Sequence, residues 1–170
     1  MDAATQSILT GLREAMQAET DGHHFYLMAA RTTADPQGRE VFERLAAEEL
    51  DHFRFLKAQD AALRATGEPD TGVRLGPRAD LGGMSPIFSA GIRTRIREAH
   101  FEMSALSIGL QLEQSAVDFY AGLAAQASNP RVRAFFTELS DWERGHRDAL
   151  LRQQQALRDD YWAAGGFAPF

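Results

Sequence analysis

Two Glu-x-x-His pairs, each with another glutamate 30 residues before its own glutamate, are the residues of this chain best suited to chemistry. Residues three apart lie on one face of a helix, so each pair can bind the same metal ion. Carboxylate oxygen with imidazole nitrogen suits iron or manganese and also accepts zinc. The pattern predicts a site for two metal ions, with positions left open for oxygen, peroxide or water. The candidate ligands are Glu19, Glu49, His52, Glu113, Glu143 and His146.

An internal repeat places these residues in matching structural units. The second set of candidate ligands is the first set displaced by 94 positions. Chance would give a chain of this composition about a third of one Glu-x-x-His pair, not two with equal upstream spacing. Four carboxylates on apolar helix faces would be costly to bury without a compensating cation. The same displacement carries Phe25–Tyr26, Pro36, Phe42, Leu45 and Leu56 onto Phe119–Tyr120, Pro130, Phe136, Leu139 and Leu150.

Three further polar residues fall near the candidate ligands. Tyr26 and Tyr120 each follow an upstream glutamate by seven residues, which is about two helical turns. We expect each phenol to hydrogen-bond a ligand carboxylate across the bundle, to supply a redox-active side chain, or to be a core tyrosine with a satisfied hydroxyl. His23 lies four residues after Glu19. It is either a further partner of the site or a histidine whose polar atoms are satisfied elsewhere.

The elements that must position these residues are predicted to be four helices in two hairpins. Apolar residues recur at helical spacing, and Asp35-Pro36 and Asn129-Pro130 interrupt the two halves. The segment between the halves can cross the length of a bundle, with a short helix starting at Ser85-Pro86. We expect the aromatic tail to contact the bundle or a partner, or to be disordered at its end. The sequence predicts one all-α domain, with hairpin one over about 8–65, crossover 66–102, hairpin two 103–158 and tail 159–170.

Composition narrows the class of protein. The chain has 170 residues, of which 44% are hydrophobic and 25% charged, which is typical of one globular domain. It has no cysteine, so a disulfide framework or thiolate metal site is excluded. The net charge of −6 includes the four candidate ligand acids, and no basic stripe predicts a nucleic-acid partner. Neither a signal peptide nor an apolar membrane span is evident, so we expect a cytoplasmic protein without a membrane partner.

Three phrases of the sequence carry a family resemblance: Ala18–Tyr26, Leu45–His52 and Leu112–Tyr120. They resemble the rubrerythrin-like branch of the ferritin-like superfamily, and the similarity extends over both hairpins. The resemblance implies a ferritin-like four-helix bundle in which a long crossover joins the hairpins. It also implies a buried site for two iron ions per subunit, held by the six candidate ligands, and association as a homodimer.

Two departures from that family bear on the expected chemistry. Full-length rubrerythrins carry a rubredoxin domain with a four-cysteine iron centre, whereas this chain has no cysteine and so implies an external electron donor. Rubrerythrins also place a further ligand glutamate three residues after the third-helix glutamate, where this chain has Ala116. That glutamate is tied to the family's peroxide-reducing switch. The resemblance therefore implies a redox enzyme that oxidises Fe(II) or reduces peroxide, with ferroxidase-type chemistry ranked first.

Other functions remain open from the sequence, because a fold alone does not select a reaction. The chain could be a non-enzymatic iron-binding or iron-handling protein. It could also be a dimanganese catalase-like or diiron hydroxylase-like enzyme, with manganese or zinc in place of iron. A third class is a structural bundle whose metal chiefly neutralises buried acids.

The repeated pattern predicts two metal ions per chain, about 3.5–4 Å apart. His52→Ala and His146→Ala should each reduce the metal content, because each removes one imidazole ligand. Elemental analysis of protein purified without chelators measures this content. An unchanged metal content in both variants would contradict the assignment.

Overall fold

The computed structural model describes residues 3–76, 87–96 and 99–165. These ranges contain helices and no strand, which confirms the predicted all-α, ferritin-like class. None of the helices in them is both long enough and apolar enough to cross a membrane. In chain order the helices are α1 (Ala3–Thr32), α2 (Pro36–Thr66), α3 (Ala90–Thr94), α4 (His100–Gln126) and α5 (Pro130–Gly165).

The first hairpin is formed by α1 and α2, which pack along each other. Pro36 disfavours helical backbone at the residue before it and begins α2, where its missing N–H is not needed. Asp35 caps α2 by accepting a hydrogen bond from the Gly38 N–H at 2.8 Å. At the other end Gly67 takes a left-handed conformation, with φ of 76°, that side chains disfavour.

The second hairpin repeats this arrangement with α4 and α5. Pro130 begins α5, and the Asn129 side chain accepts a hydrogen bond from the Arg131 N–H at 2.9 Å. The helix continues to Gly165, beyond the end predicted at residue 158. Residues 159–164 contain neither Gly nor Pro to stop it, and Tyr161 packs against the core. Residues 159–165, assigned to the tail from the sequence, are therefore helical.

The end of the crossover is held against both hairpins. The Asp35 carboxylate accepts hydrogen bonds from both the N–H, at 3.1 Å, and the hydroxyl of Ser89. A Cβ at Gly38 would lie 2.4 Å from the Phe88 ring, so only glycine admits this contact. The Ile87 N–H donates to Gln153 on α5 at 2.5 Å. The short helix expected in the crossover is α3, whereas its predicted start at Ser85-Pro86 lies outside the described residues.

Two apolar clusters form the core, and the candidate ligands lie between them along the helices. On α2, Phe42 belongs to one cluster, Leu56 belongs to the other, and Glu49 lies between them in the chain. Equivalent residues of the two halves lie in different clusters: Phe42 belongs to one cluster, and Phe136, 94 residues later, belongs to the other. Each half of the repeat therefore builds one end of the core and flanks one shared polar layer.

Removing the Asp35 carboxylate should destabilise the fold, because it serves both the α2 cap and the crossover. We expect Asp35→Ala to lower the free energy of unfolding by roughly 2–4 kcal/mol, from the lost cap and the donors left unpaired. Urea denaturation followed by far-UV circular dichroism measures this. Asp51→Ala is the control: Asp51 is exposed and forms an ion pair with exposed Arg54 one turn away, so its loss should change stability by about 0.5 kcal/mol or less. Equal effects of the two variants would contradict this role.

Candidate metal centre

The six candidate ligands converge in the middle of the bundle, although they come from four helices. Every one is at most 5% exposed, so the cluster is shielded from bulk water. Helices α1 and α4 each supply one glutamate, and α2 and α5 each supply a Glu-x-x-His pair. This is the arrangement that carboxylate-bridged dimetal bundles use. The residues involved are Glu19, Glu49, His52, Glu113, Glu143 and His146.

The cluster divides into two overlapping groups, each able to hold a metal ion. Within each group, one potential ligand atom per residue lies within 4.8 Å of the others. Glu49 and Glu143 belong to both groups, which makes them the candidates to bridge two ions. The first group adds Glu19 and His52, and the second adds Glu113 and His146.

Both histidines turn Nδ1 toward the carboxylates. Nδ1 of His52 lies 2.9 Å from Glu143 Oε1 and 3.5 Å from Glu19 Oε2. Nδ1 of His146 lies 3.3 Å from Glu143 Oε2 and 3.5 Å from Glu113 Oε2. The two oxygens of Glu143 thus face different imidazoles, as a bridging carboxylate requires.

The inward-facing polar atoms are what make the cluster fit a metal. Buried polar atoms are normally hydrogen-bonded, because leaving them unpaired is costly. Here most of the atoms that face the centre approach one another closely but make no hydrogen bond of acceptable geometry. They belong to the residue types that bind iron, manganese or zinc. A bound cation would satisfy them and offset the buried negative charge. The unpaired inward atoms are Glu19 Oε2, Glu49 Oε1, both carboxylate oxygens of Glu143, and Nδ1 of His52 and of His146. The outer nitrogen of His52, Nε2, is unpaired as well.

Without a cation, the cluster must hold protons instead. Burial, reinforced by the charge of Glu143, raises the pKa of Glu49 well above its ordinary value. Burial raises the pKa of Glu113 to about 7, against the opposing influence of His146. Burial alone would lower the pKa of His52, but the charges of Glu143 and Glu19 raise it to about 10. Metal binding at neutral pH would therefore displace protons from these residues.

Two tyrosines connect the hairpins through the candidate ligands. The Tyr26 hydroxyl on α1 donates to Glu113 on α4, and the Tyr120 hydroxyl on α4 donates to Glu19 on α1. Both phenols are buried, and burial together with the neighbouring carboxylates raises the pKa of each well above its ordinary value. They remain neutral donors that fix one oxygen of each carboxylate. Of the roles considered from the sequence, the structure shows the hydrogen bond across the bundle.

His23 lies outside this cluster. Its Nδ1 is 2.6 Å from the carbonyl oxygen of Ala46 on α2. His23 lies one helical turn after Glu19, but its ring is partly exposed and faces the backbone of α2. It is therefore the histidine satisfied elsewhere, the second of the two roles considered from the sequence.

Two residues that were not among the candidate ligands lie beside the site. Glu48, next to Glu49, places Oε2 2.8 Å from Nε2 of His146. Trp142, next to Glu143, packs edge-to-face on His52 with ring centroids 5.2 Å apart. Their adjacency to the candidate ligand glutamates was the only available signal, since the contacts are made across the bundle.

A groove of about 340 Å³ between α1 and α4 leads to the candidate ligands. A water molecule occupies about 30 Å³ of liquid, so the groove has room for on the order of ten waters or a small oxidant. Small residues keep it open: a Cβ at Gly22 would come 3.3 Å from Glu49 Oε2, and Ala116 lies on the opposite helix. Exposed Glu14 and Asp21 line its outer part.

Comparison with known families supports this interpretation. The family model described as Rubrerythrin matches residues 11–73, which include most of α1 and all of α2. This match confirms the resemblance to the rubrerythrin-like branch, and with the buried cluster it fits a diiron metal-binding protein. Searches of the curated proteins and of the solved structures found no match.

The raised carboxyl pKa values predict that metal-free protein loses stability as the pH rises. A group whose pKa is raised by folding stabilises the fold fully below its unfolded pKa, and this contribution is lost as the pH rises through the folded pKa. For Glu113 that window runs from 4.5 to about 7, and Glu49 shifts in the same direction. Metal binding requires the deprotonated carboxylates, so the increase in Tm caused by metal should grow over the same range.

Thermal unfolding of chelator-treated and Mn(II)-loaded protein, from about pH 5 to about pH 8, measures both trends. Glu113→Gln is the matched variant, because the glutamine amide cannot titrate in this range. It should remove part of the pH dependence of the Tm of the metal-free protein. A metal-free Tm that is flat or rises across this range would contradict the burial of protonated carboxylates.

Proposed function

We propose that this protein is a diiron carboxylate oxidoreductase that oxidises Fe(II) with oxygen or peroxide. The observation that carries the proposal is the pair of overlapping, buried ligand groups with shared Glu49 and Glu143. Each group offers three carboxylates and one imidazole, a donor set that suits iron. The match to the rubrerythrin family over the first hairpin supports the same metal.

The residues have distinct roles in this proposal. Glu19 with His52 and Glu113 with His146 would each hold one iron ion, and the shared glutamates would bridge the two. When bound, two iron ions supply two electrons, one from each Fe(II). Together with two protons, these electrons would reduce one peroxide molecule to two water molecules, or one oxygen molecule to one hydrogen peroxide molecule.

The tyrosines and the apolar core keep the site ordered and dry. Tyr26 and Tyr120 hold one oxygen of Glu113 and of Glu19, so that the other oxygen of each carboxylate faces the centre. The apolar clusters on both sides limit water to the groove and so restrict side reactions.

The groove supports Fe(II) and a small oxidant as the reactants. Its exposed acids, Glu14 and Asp21, create a negative potential that favours cations at its outer part. Its inner end includes the carboxylates of Glu19, Glu49, Glu113 and Glu143. A cation and an oxidant can therefore reach the candidate ligands without opening the bundle.

The alanine at position 116 favours a protein that oxidises Fe(II) over one that is specialised in reducing peroxide. It lies in the groove at the position where rubrerythrins place a further ligand glutamate. A methyl group there supplies no ligand, so no carboxylate from this position is available for the family's peroxide-reducing switch. Sustained turnover on peroxide would need an external electron donor, or Fe(II) itself as the reductant.

The expected homodimer, external electron donor and cytoplasmic location stay predictions. The groove and the cluster described above lie within one chain, so Fe(II) oxidation can be tested before the oligomeric state, the electron donor and the location are known.

Restoring the family carboxylate should shift the preferred oxidant. Protein loaded anaerobically with Fe(II) is mixed with oxygen or with hydrogen peroxide, and initial oxidation rates are followed optically. We expect Ala116→Glu to raise the ratio of the peroxide rate to the oxygen rate by about tenfold, or about 1.4 kcal/mol in relative barrier. Ala116→Gln is the control, because glutamine is similar in size to glutamate but has no charge.

The wild type should oxidise Fe(II) faster than an equal amount of free Fe(II) under both oxidants. No acceleration in fully iron-loaded protein would contradict the proposal and favour an iron-handling or other metal role. An equal shift in the glutamate and glutamine variants would show that size, not a new ligand, controls the oxidant preference.

A further inference from the structure

The outer nitrogens of the two candidate ligand histidines have different surroundings. Nε2 of His146 is 2.8 Å from a carboxylate oxygen of Glu48. Nε2 of His52 has no hydrogen-bond partner, and its ring lies edge-to-face against Trp142 at an interplanar angle of 82°. The two imidazoles are otherwise similar, since both are buried and stack on each other at 5.8 Å.

This difference breaks the internal repeat. Glu48 and Trp142 are related by the same 94-residue displacement that relates the two sets of candidate ligands. Each makes its contact with the histidine of the other half: Glu48 with His146, and Trp142 with His52. The repeat thus supplies an anion behind one imidazole and an indole at the same place behind the other.

The hydrogen bond to Glu48 sets how His146 can act as a ligand. A neutral imidazole carries one N–H, and donating it from Nε2 leaves the Nδ1 lone pair facing the cluster. A carboxylate in this position fixes the ring orientation and strengthens donation to a metal, and loss of such a partner typically weakens metal binding about 10–100-fold. His52 has no such acceptor at Nε2.

We propose that Glu48 makes the two metal positions unequal, so that the position of Glu113 and His146 binds a divalent cation first and more tightly than that of Glu19 and His52. Glu48 acts here as a positioning residue, through His146. The inference rests on the proposed function only in requiring that the cluster binds metal. The Fe(II) that occupies the His52 position would then be the one exchanged more readily through the groove.

Anaerobic calorimetric titration of metal-free protein with Mn(II), using a competing chelator where binding is tight, tests the inference. We expect two resolved steps in the wild type. Glu48→Gln keeps the size of the side chain but removes its charge, and it should weaken the tighter step by about 10–100-fold while leaving the weaker step unchanged. Glu102→Gln is the control, because Glu102 is also buried but pairs with Thr33 at 2.9 Å, away from the cluster.

Assignment of the steps uses the two histidine variants. His52→Ala should retain the tight step and its sensitivity to Glu48→Gln, whereas His146→Ala should lose the tight step and become insensitive to that change. A merely structural role for Glu48 would weaken both steps in every background. If Glu48→Gln does not fold, the contrast between the two histidine variants alone still decides the order of affinity.

Two indistinguishable steps in the wild type would overturn the inference, as would an effect of Glu48→Gln that persists in His146→Ala. Either result leaves the proposed function intact, because both require that metal binds. Failure of the wild type to bind Mn(II) or Fe(II) at the cluster would instead overturn the proposed function.

Discussion

Four carboxylates and two imidazoles share one buried space in this bundle, and most of their inward atoms have no hydrogen-bond partner among the described residues. Isolated buried charges cost several kcal/mol each, and neighbouring carboxylates repel one another at short range. Protons can neutralise the carboxylates. An oxygen or nitrogen that carries a proton, however, cannot bind a metal ion through the same lone pair. Bound divalent cations would offset the buried negative charge and at the same time bind the unpaired atoms.

The helices meet this constraint through an approximate internal symmetry. Each hairpin contributes three candidate ligands and one tyrosine whose hydroxyl reaches a carboxylate of the other hairpin. The apolar clusters that flank the polar layer exchange under the same displacement. Stability and site geometry are therefore coupled, because the side chains that hold the hairpins together also orient the candidate ligands. Glu48 and Trp142 depart from this symmetry, because they occupy equivalent positions but place a carboxylate beside His146 and an indole beside His52.

Much of this arrangement follows from sequence spacing, because helices convert spacing into position. The Glu-x-x-His pairs and the Pro36 and Pro130 breaks were enough to predict two hairpins and to bring six residues together. The sequence could not indicate which way a side chain near the ligand face turns: His23 has the correct helical phase but contacts the Ala46 backbone. Nor could it reveal contacts between helices that are far apart in the chain, such as Glu48 with His146, or a groove lined by the small residues Gly22 and Ala116. The end of α5 was misplaced because a Gly-rich, aromatic composition was given more weight than the absence of a helix-breaking residue before Gly165.

The proposed function requires that the buried cluster hold a pair of iron ions. Anomalous diffraction at the iron absorption edge, from crystals prepared anaerobically with Fe(II), locates bound iron directly. The proposed function predicts two anomalous peaks inside the bundle, one beside Glu19 and His52 and the other beside Glu113 and His146, with Glu49 and Glu143 between them. Iron found only at exposed carboxylates, with the interior of the cluster empty at saturating Fe(II), would contradict it.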